Sequence, residues 1–142
     1  MPIIKFDYEA RPIWLDKKKK IIDALYTPIV QIRIAAHHKM YPRILECLVD
    51  SGSDYNLLPA DIADLLGIKL KRGEEVEHIG IGDVGIIAYR HKVKLFIQKR
   101  NFETYVDFSR VNKFQILGRY AFFRFFKKVT FDEVKKRLEL KY

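Results

Sequence analysis

Residues 48–59 read Leu48-Val49-Asp50-Ser51-Gly52-Ser53-Asp54-Tyr55-Asn56-Leu57-Leu58-Pro59, and this segment carries the most informative pattern in the chain. The apolar pair Leu48-Val49 leads into it, and Asp-Ser-Gly follows directly from Asp50. A second apolar pair, Leu57-Leu58, runs up to Pro59. An Asp-Ser-Gly triplet alone is a weak signal because many loops contain one. Its context between a strand pattern and a helix pattern makes it informative.

The segment after the turn predicts the clearest helix of the chain. Pro59 is placed in the first helical turn, where its missing N–H costs nothing, and Gly67 is placed to end the helix. Ile62, Leu65 and Leu66 are spaced to share one apolar face. The acidic residues near the start, Asp61 and Asp64, favour the positive end of the helix dipole.

Outward from this segment, short strands alternate with turn signals. The predicted strands are Ile3–Tyr8, Pro28–Ile34, Arg43–Val49, Val93–Gln98, Phe102–Phe108, Phe114–Leu117, Val129–Phe131 and Leu138–Leu140. The predicted connections are a charged stretch at Asp16–Lys20, a hairpin tip at His37–Pro42, a glycine-rich turn at Ile79–Gly85, a tight turn at Lys99–Asn101 and a helical turn at Arg119–Phe126. The pattern predicts one mainly β domain over residues 1–142, with one or two short helices.

The Asp-Ser-Gly-Ser turn, entered from an apolar strand and followed by a Leu-Pro helix, resembles the retropepsin-like aspartic proteases of the single-domain, retroviral type, including bacterial or archaeal-like members. Ile79–Gly85 takes the place of the family's flap, and Ile116–Arg119 resembles the element before its C-terminal helix. The tail Phe126–Asp132 is similar to that of bacterial single-domain members. The resemblance runs from about Pro28 to about Leu140, leaves residues 1–27 uncovered, and implies a small closed β-barrel with a flap hairpin.

The resemblance implies peptide hydrolysis by two carboxylates that share a proton, with Asp50 as the catalytic acid and Ser51 and Gly52 completing its turn. One carboxylate draws a proton from water while the other donates to the carbonyl oxygen. The chain has one such turn, because Asp83 lacks the Ser/Thr-Gly that must follow the acid. A symmetric homodimer supplies Asp50 twice, so the mechanism requires a dimer.

Other positions follow from the resemblance. Ser51 is implied to hydrogen-bond across the dimer axis, and Ser53 and Asp54 to line the substrate channel. Asp54 and Arg119 are implied to form an ion pair that braces the dimer, although Asp54 fits a helix-capping role equally well. The residues implied to cover the substrate are Ile79, Gly80, Ile81 and Gly82, with Asp83 and Val84 interrupting the glycine pattern of the flap.

Composition limits the other function classes. The net charge of +9 is uneven, with 9 basic and 5 acidic side chains in residues 1–48, 8 and 10 in 49–109, and 10 and 3 in 110–142. The slightly acidic middle third disfavours nucleic-acid binding, and the Lys17–Lys20 run is interpreted as a solvated surface. No apolar run approaches the roughly 20 residues of a membrane span. We therefore expect a soluble, cytoplasmic protein.

Two further features receive ordinary structural interpretations. His37 and His38 are neighbours that point to opposite faces of a strand, so they predict a solvated hairpin and not a metal site. Cys47 has no obvious base partner and is interpreted as a packed small residue. The sequence predicts no metal and no cofactor.

Two functions of different classes remain open. The first is an aspartic endopeptidase, acting on extended peptides as a homodimer. The second is a catalytically weak or inactive module for peptide binding or dimerisation on the same fold, since a fold does not guarantee activity.

Overall fold

The protein is described here by a computed structural model, which describes residues 2–15, 20–80 and 82–142. Its strands are β1 (Ile3–Asp7), β2 (Glu9–Leu15), β3 (Lys20–Thr27), β4 (Ile29–Ala36), β5 (Lys39–Met40), β6 (Leu45–Val49), β7 (Asn56–Pro59), β8 (Glu74–Ile79), β9 (Gly85–Ile97), β10 (Arg100–Ser109), β11 (Ile116–Leu117), β12 (Lys128–Asp132) and β13 (Arg137–Lys141). One α-helix, α1 (Ala60–Leu65), and two 3-10 turns (Leu70–Arg72 and Phe123–Phe125) complete the described elements.

The largest sheet closes on itself to form a small barrel. Its strands lie in the order β5-β4-β6-β11-β7-β10-β9-β8, and a further pairing of β4 with β9 joins six of them into a ring. Strand β8 lies outside the ring and pairs with the first part of β9, as the stem of a hairpin. The predicted mainly β fold with a small closed barrel is confirmed.

The barrel closes around side chains that alternate along its strands. In β4, Val30, Ile32 and Ile34 are buried while Gln31 and Arg33 between them are exposed, as the period of two for a strand requires. Residues of β6, β9 and β10 join the same core, so that side chains fill the interior of the ring.

The helix differs from its prediction at both its start and its face. Strand β7 runs through Pro59, which is the residue before α1, so the helix begins at Ala60. Its buried side includes Ile62 and Leu66, whereas Leu65 is 61% exposed and was wrongly assigned to that face. Gly67 follows the helix with φ of +72°, as the prediction that it ends the helix requires.

The predicted hairpins are present, with shifted limits. His37 and His38 both have positive φ and form the two-residue turn between β4 and β5. The connection of β9 to β10 is tighter than predicted, since Arg100 already pairs with Ile97. The final hairpin pairs β12 with β13.

Two predicted elements near the C-terminus are corrected. Strand β11 contains only the last two residues of Phe114–Leu117, and Phe114 is 74% exposed instead of buried. The helical turn predicted at Arg119–Phe126 is a 3-10 turn over Phe123–Phe125, and it packs through the buried Phe122 and Phe126.

The N-terminal residues form two structures that the family resemblance does not cover. Strand β1 pairs antiparallel with β13, which gives a three-stranded sheet in the order β1-β13-β12. Strands β2 and β3 pair as a separate two-stranded ribbon. Of the predicted charged connector, Asp16–Lys19 lies outside the described residues and Lys20 begins β3.

Candidate active site

The Asp-Ser-Gly turn lies at the end of β6, beside the short strand β11. The backbone N–H of Asp50 donates to the carbonyl of Leu117 at 2.9 Å, which fixes where the strand stops. The N–H of Ser53 donates back to the carbonyl of Asp50 at 3.3 Å and reverses the chain. Asp50 is therefore presented from a chain reversal that a neighbouring strand holds in place.

The carboxylate of Asp50 is held by its own turn. The N–H of Gly52 donates to Oδ1 at 2.8 Å, and the hydroxyl of Ser53 donates to Oδ2 at 2.9 Å. The side chain is half-buried, and no cation of the described residues lies within ion-pair distance of it. Because an ionised carboxylate offers about four lone-pair positions, each oxygen keeps capacity for water or a shared proton.

Gly52 leaves room for that carboxylate. A Cβ on Gly52 would lie 3.2 Å from Oδ1 of Asp50, tighter than ordinary van der Waals contact. Ser51, at the tip of the turn, is exposed and makes no hydrogen bond to the described part of this chain. Its bond across a dimer axis stays a prediction.

Asn56 is a site residue that the sequence analysis missed. Its Nδ2 donates to the carbonyls of Tyr105 and Ala121, both at 3.1 Å, and its Oδ1 accepts from the N–H of Gly118 at 3.1 Å. Asn56 is fully buried, so these bonds satisfy a polar group that would otherwise be costly to bury. One amide in an otherwise apolar strand was the signal that could have revealed it.

The segment Ile116–Arg119 packs its backbone against Asp50–Tyr55, which is named the active-site loop here after its candidate role. The N–H of Arg119 donates to the carbonyl of Ser53 at 2.7 Å, and a Cβ on Gly118 would lie 2.6 Å from the carbonyl oxygen of Tyr55. Only glycine allows this close approach of two backbones. The sequence pattern that singled out this element therefore corresponds to a real contact with the loop.

Asp54 and Arg119 line the same open depression of about 510 Å³, but their side chains form no ion pair among the described residues of one chain. Backbone bonds link this region instead, because the N–H of Ala121 donates to the carbonyl of Asp54 at 3.1 Å. The helix-capping alternative for Asp54 is also absent, since α1 starts at Ala60 and has no side-chain cap. A role of this pair in a dimer stays a prediction.

The flap hairpin is the name used here for β8, the turn after it and the first residues of β9, Gly85–Ile87. The N–H of Gly80 donates to the carbonyl of Val84 at 3.2 Å, and Gly82 and Asp83 have positive φ, as a tight reversal between β8 and β9 requires. Ile79 and Val84 flank it and are 66% and 69% exposed. Of the predicted flap residues, Ile81 lies outside the described residues.

A second aspartate, Asp107 of β10, lies fully buried near the stem of the flap hairpin and was not predicted. Its Oδ1 accepts from Nε of Arg90 at 2.7 Å, and its Oδ2 accepts from Nη2 of Arg90 at 3.0 Å and from Nε2 of His78 at 2.6 Å. Burial raises the pKa of Asp107, but the hydrogen bonds from His78 and Arg90 outweigh it and hold the pKa below its ordinary 3.8.

The remaining chemistry-bearing side chains form no further centre in the described residues. Cys47 is buried, as predicted, and burial together with Glu46 raises the pKa of its thiol. No group of three metal-ligating side chains occurs in residues 2–15, 20–80 and 82–142. Among the helices described, none is long and apolar enough to cross a membrane.

The comparisons with known proteins find similarity among solved structures. No protein-family model and no curated protein matches the chain. Among solved structures, the chain is similar to EIAV protease complexed with the inhibitor HBY-793, at 22% identity and a TM-score of 0.46. The match covers 66% of this chain and 82% of that chain. The observed topology, a closed barrel with a hairpin beside it, is consistent with the retropepsin-like fold.

Proposed function

We propose that this chain is one half of an aspartic endopeptidase, in which two copies associate and bring their Asp50 side chains together. One observation carries the proposal: Asp50 follows β6 in a glycine turn whose hydrogen bonds orient both carboxylate oxygens, and no cation of the described residues lies within ion-pair distance of them. A purely structural aspartate in this protein has a different environment, as Asp107 illustrates.

Two such carboxylates at a symmetry axis supply both halves of acid–base catalysis. Like charges a few ångströms apart do not both ionise easily, so the pair holds one proton over a wide pH range. The ionised member draws a proton from a water molecule between them, and the protonated member donates to the carbonyl oxygen of the peptide. The titration then belongs to the pair and not to either residue.

The proposed substrate is an extended peptide lying between the active-site turn and the flap hairpin. The exposed Ile79 and Val84 give the tip of the flap hairpin an apolar surface that a bound substrate would cover. An apolar depression of about 630 Å³ beside Gly85, Ile86 and Ile87 offers a place for an apolar substrate side chain.

The first experiment compares cleavage of casein and a peptide library by wild type, Asp50→Asn and Asp61→Asn. Asp61 is 94% exposed on α1 and provides a matched acidic control outside the site. We expect Asp50→Asn to lose roughly a thousandfold of activity or more, in line with the loss of a general acid–base group, and Asp61→Asn to match wild type. Equal cleavage by Asp50→Asn and wild type would remove Asp50 from the mechanism.

A mixing experiment tests whether two chains share one site. Wild type and Asp50→Asn are unfolded together in equal amounts and refolded, so that subunits exchange. If each site needs Asp50 from both chains, the mixture keeps about a quarter of the activity of the same total amount of wild type, because only about a quarter of the pairs contain two wild-type chains. Survival of about half, which independent sites give, contradicts the dyad. A fold that dimerises yet cleaves nothing supports the peptide-binding alternative.

A further inference from the structure

Asp107 links three strands through a single buried carboxylate. It lies on β10, its partner Arg90 lies opposite on β9, and its partner His78 lies on β8. The side chains of Arg90 and His78 are 19% and 27% exposed, whereas that of Asp107 is inaccessible to solvent. Both oxygens of the carboxylate are therefore occupied by donors from the chain.

His78 is the residue through which this carboxylate reaches the flap hairpin. It directly precedes Ile79, at the last pair but one before the turn, and pairs with Ile86 of β9. Strand β8 is the outermost strand of its sheet, and among the described strands it pairs only with β9. The contact from His78 to Asp107 passes beyond that neighbour and ties the edge strand directly to the barrel.

Arg90 extends the same network to the active-site loop. Its guanidinium lies 3.8 Å from the centre of the Tyr55 ring, and Tyr55 in turn meets Tyr120 edge to face at 5.8 Å. Tyr55 follows Asp54 and belongs to the loop that begins at Asp50. Continuous contacts thus run from Tyr55 through Arg90 and Asp107 to His78.

The charges in this network make it costly to separate Asp107 from its two partners. Asp107 is ionised with its pKa held low by its donors, and a buried carboxylate that loses one of them is left poorly compensated. An ionised carboxylate only accepts hydrogen bonds, so Nε2 of His78 carries the proton of the shared bond. Glu74, which pairs with Arg90 across the strands, adds a second negative charge beside the guanidinium.

We infer that Asp107 is a positioning residue that fixes the flap hairpin and the active-site loop relative to each other, through His78 on one side and through Arg90 and Tyr55 on the other. The consequence for catalysis rests on the proposed function. The mechanical linkage itself does not, so the two are tested by separate measurements.

The linkage is tested by hydrogen–deuterium exchange of backbone amides in the folded, full-length protein. His78→Leu removes the tie to β8 and leaves the bonds of Arg90 to Asp107 in place. His78→Gln retains an N–H donor, and Glu75→Gln on the same strand serves as the matched control. Asp107→Asn weakens both ends of the network at once.

We expect amide exchange in Val76–Ile79 and Gly85–Ala88 to rise about tenfold in His78→Leu, with β10 unchanged. His78→Gln should recover part of the protection, and Glu75→Gln should match wild type. Asp107→Asn should additionally speed exchange in Ser53–Tyr55. Wild-type exchange in the flap hairpin of His78→Leu overturns the linkage, even if Asp107→Asn fails to fold.

The catalytic consequence is measured on whatever peptide the wild type cleaves. For His78→Leu we expect KM to rise several-fold with kcat within about twofold, because a loosened flap weakens substrate binding more than it alters the acid–base groups. An unchanged KM together with faster flap exchange overturns the positioning role. If wild type cleaves no peptide, the proposed function fails, and the exchange data decide the linkage independently.

Discussion

Two aspartates, Asp50 in the loop before β7 and Asp107 on β10, have contrasting environments. Asp50 is half-buried, and both of its hydrogen-bond donors come from its own turn, two and three residues away. Asp107 is fully buried, and its donors come from 17 and 29 residues away on other strands. Neutral donors surround the first carboxylate, and a guanidinium and an imidazole hold the second.

The two environments suit different roles for a carboxylate. A carboxylate that must exchange protons cannot be locked to a cation, because the ion pair would keep it ionised over the working pH range. A carboxylate that must hold strands together benefits from that lock. Under the proposed function, the same side chain therefore serves chemistry at Asp50 and architecture at Asp107, according to its neighbours.

The largest expected contrast is in the free energy of unfolding. Asp107→Asn should lower it by about 3 kcal/mol, because removing one member of a buried ion pair leaves its partner uncompensated. Asp50→Asn should change it by less than about 1 kcal/mol, since only local neutral hydrogen bonds are altered. Urea unfolding of each variant at one protein concentration measures both values. Similar losses in the two variants would remove the distinction between the sites.

The glycines beside the active-site turn provide a smaller test. Gly118→Ala places a Cβ against three backbone atoms of the loop, from 2.6 to 2.7 Å away, and should cost about 2 kcal/mol of stability through overpacking. Gly52→Ala meets only the Asp50 carboxylate oxygen, so it should lower activity more than stability. Thermal unfolding and peptide cleavage, measured on both variants, separate the two effects. A stable, active Gly118→Ala protein would contradict the described loop packing.

Lowering the pH should test the contribution of the Asp107 carboxylate to stability without replacing the residue. Its pKa is lowered on folding, so its contribution to stability is present above the unfolded value near 3.8 and is lost as pH falls through the lower folded value. Below pH 3.8, the free energy of unfolding should fall more steeply with pH in wild type than in Asp107→Asn. This additional loss in wild type should be smaller in total than the loss that the substitution causes at neutral pH. Parallel acid profiles of the two proteins would show that the carboxylate is not held ionised.

The pair Arg110–Asp64 should show the smallest effect on stability, and it serves as an exposed reference for the buried pair Arg90–Asp107. Arg110 binds Asp64 with two hydrogen bonds, as Arg90 binds Asp107, but the Asp64 side chain is 47% exposed and that of Arg110 is 54% exposed. Because solvent screens exposed charges, Asp64→Asn should cost less than about 1 kcal/mol, and the cost should shrink as salt is added. Urea unfolding at low and high salt measures it. A cost equal to that of Asp107→Asn would show that burial is not what distinguishes the pairs.

The sequence predicted the fold class and the Asp50 turn because both depend on local patterns. The alternation in β4, the glycines of the flap hairpin and the Asp-Ser-Gly turn are encoded by neighbours in the chain. The element Ile116–Arg119 was singled out through the family resemblance, and the structure shows that its glycine lets two backbones touch because it has no side chain.

The Asp107 network could not be predicted because it depends on strand register. Asp107 faces Arg90 only when β9 and β10 pair in one particular alignment, and a shift by one residue turns a side chain to the opposite face. Asn56 escaped notice for a related reason, since its partners are separated from it by as many as 65 residues. Leu65 was misplaced because helical periodicity gives the apolar face but not which edge of that face reaches the core.

The distance along the chain between Asn56 and Ala121 has a consequence for biosynthesis. The active-site turn gains its supports from Leu117, Gly118 and Ala121, so a ribosome-bound chain carries the Asp-Ser-Gly triplet long before it can rigidify it. Closing so large a loop is slow, and its contacts reward the chain only at the end. A nascent polypeptide that stalls before residue 117 therefore contains the whole Asp-Ser-Gly triplet without the contacts that hold the loop against Leu117, Gly118 and Ala121.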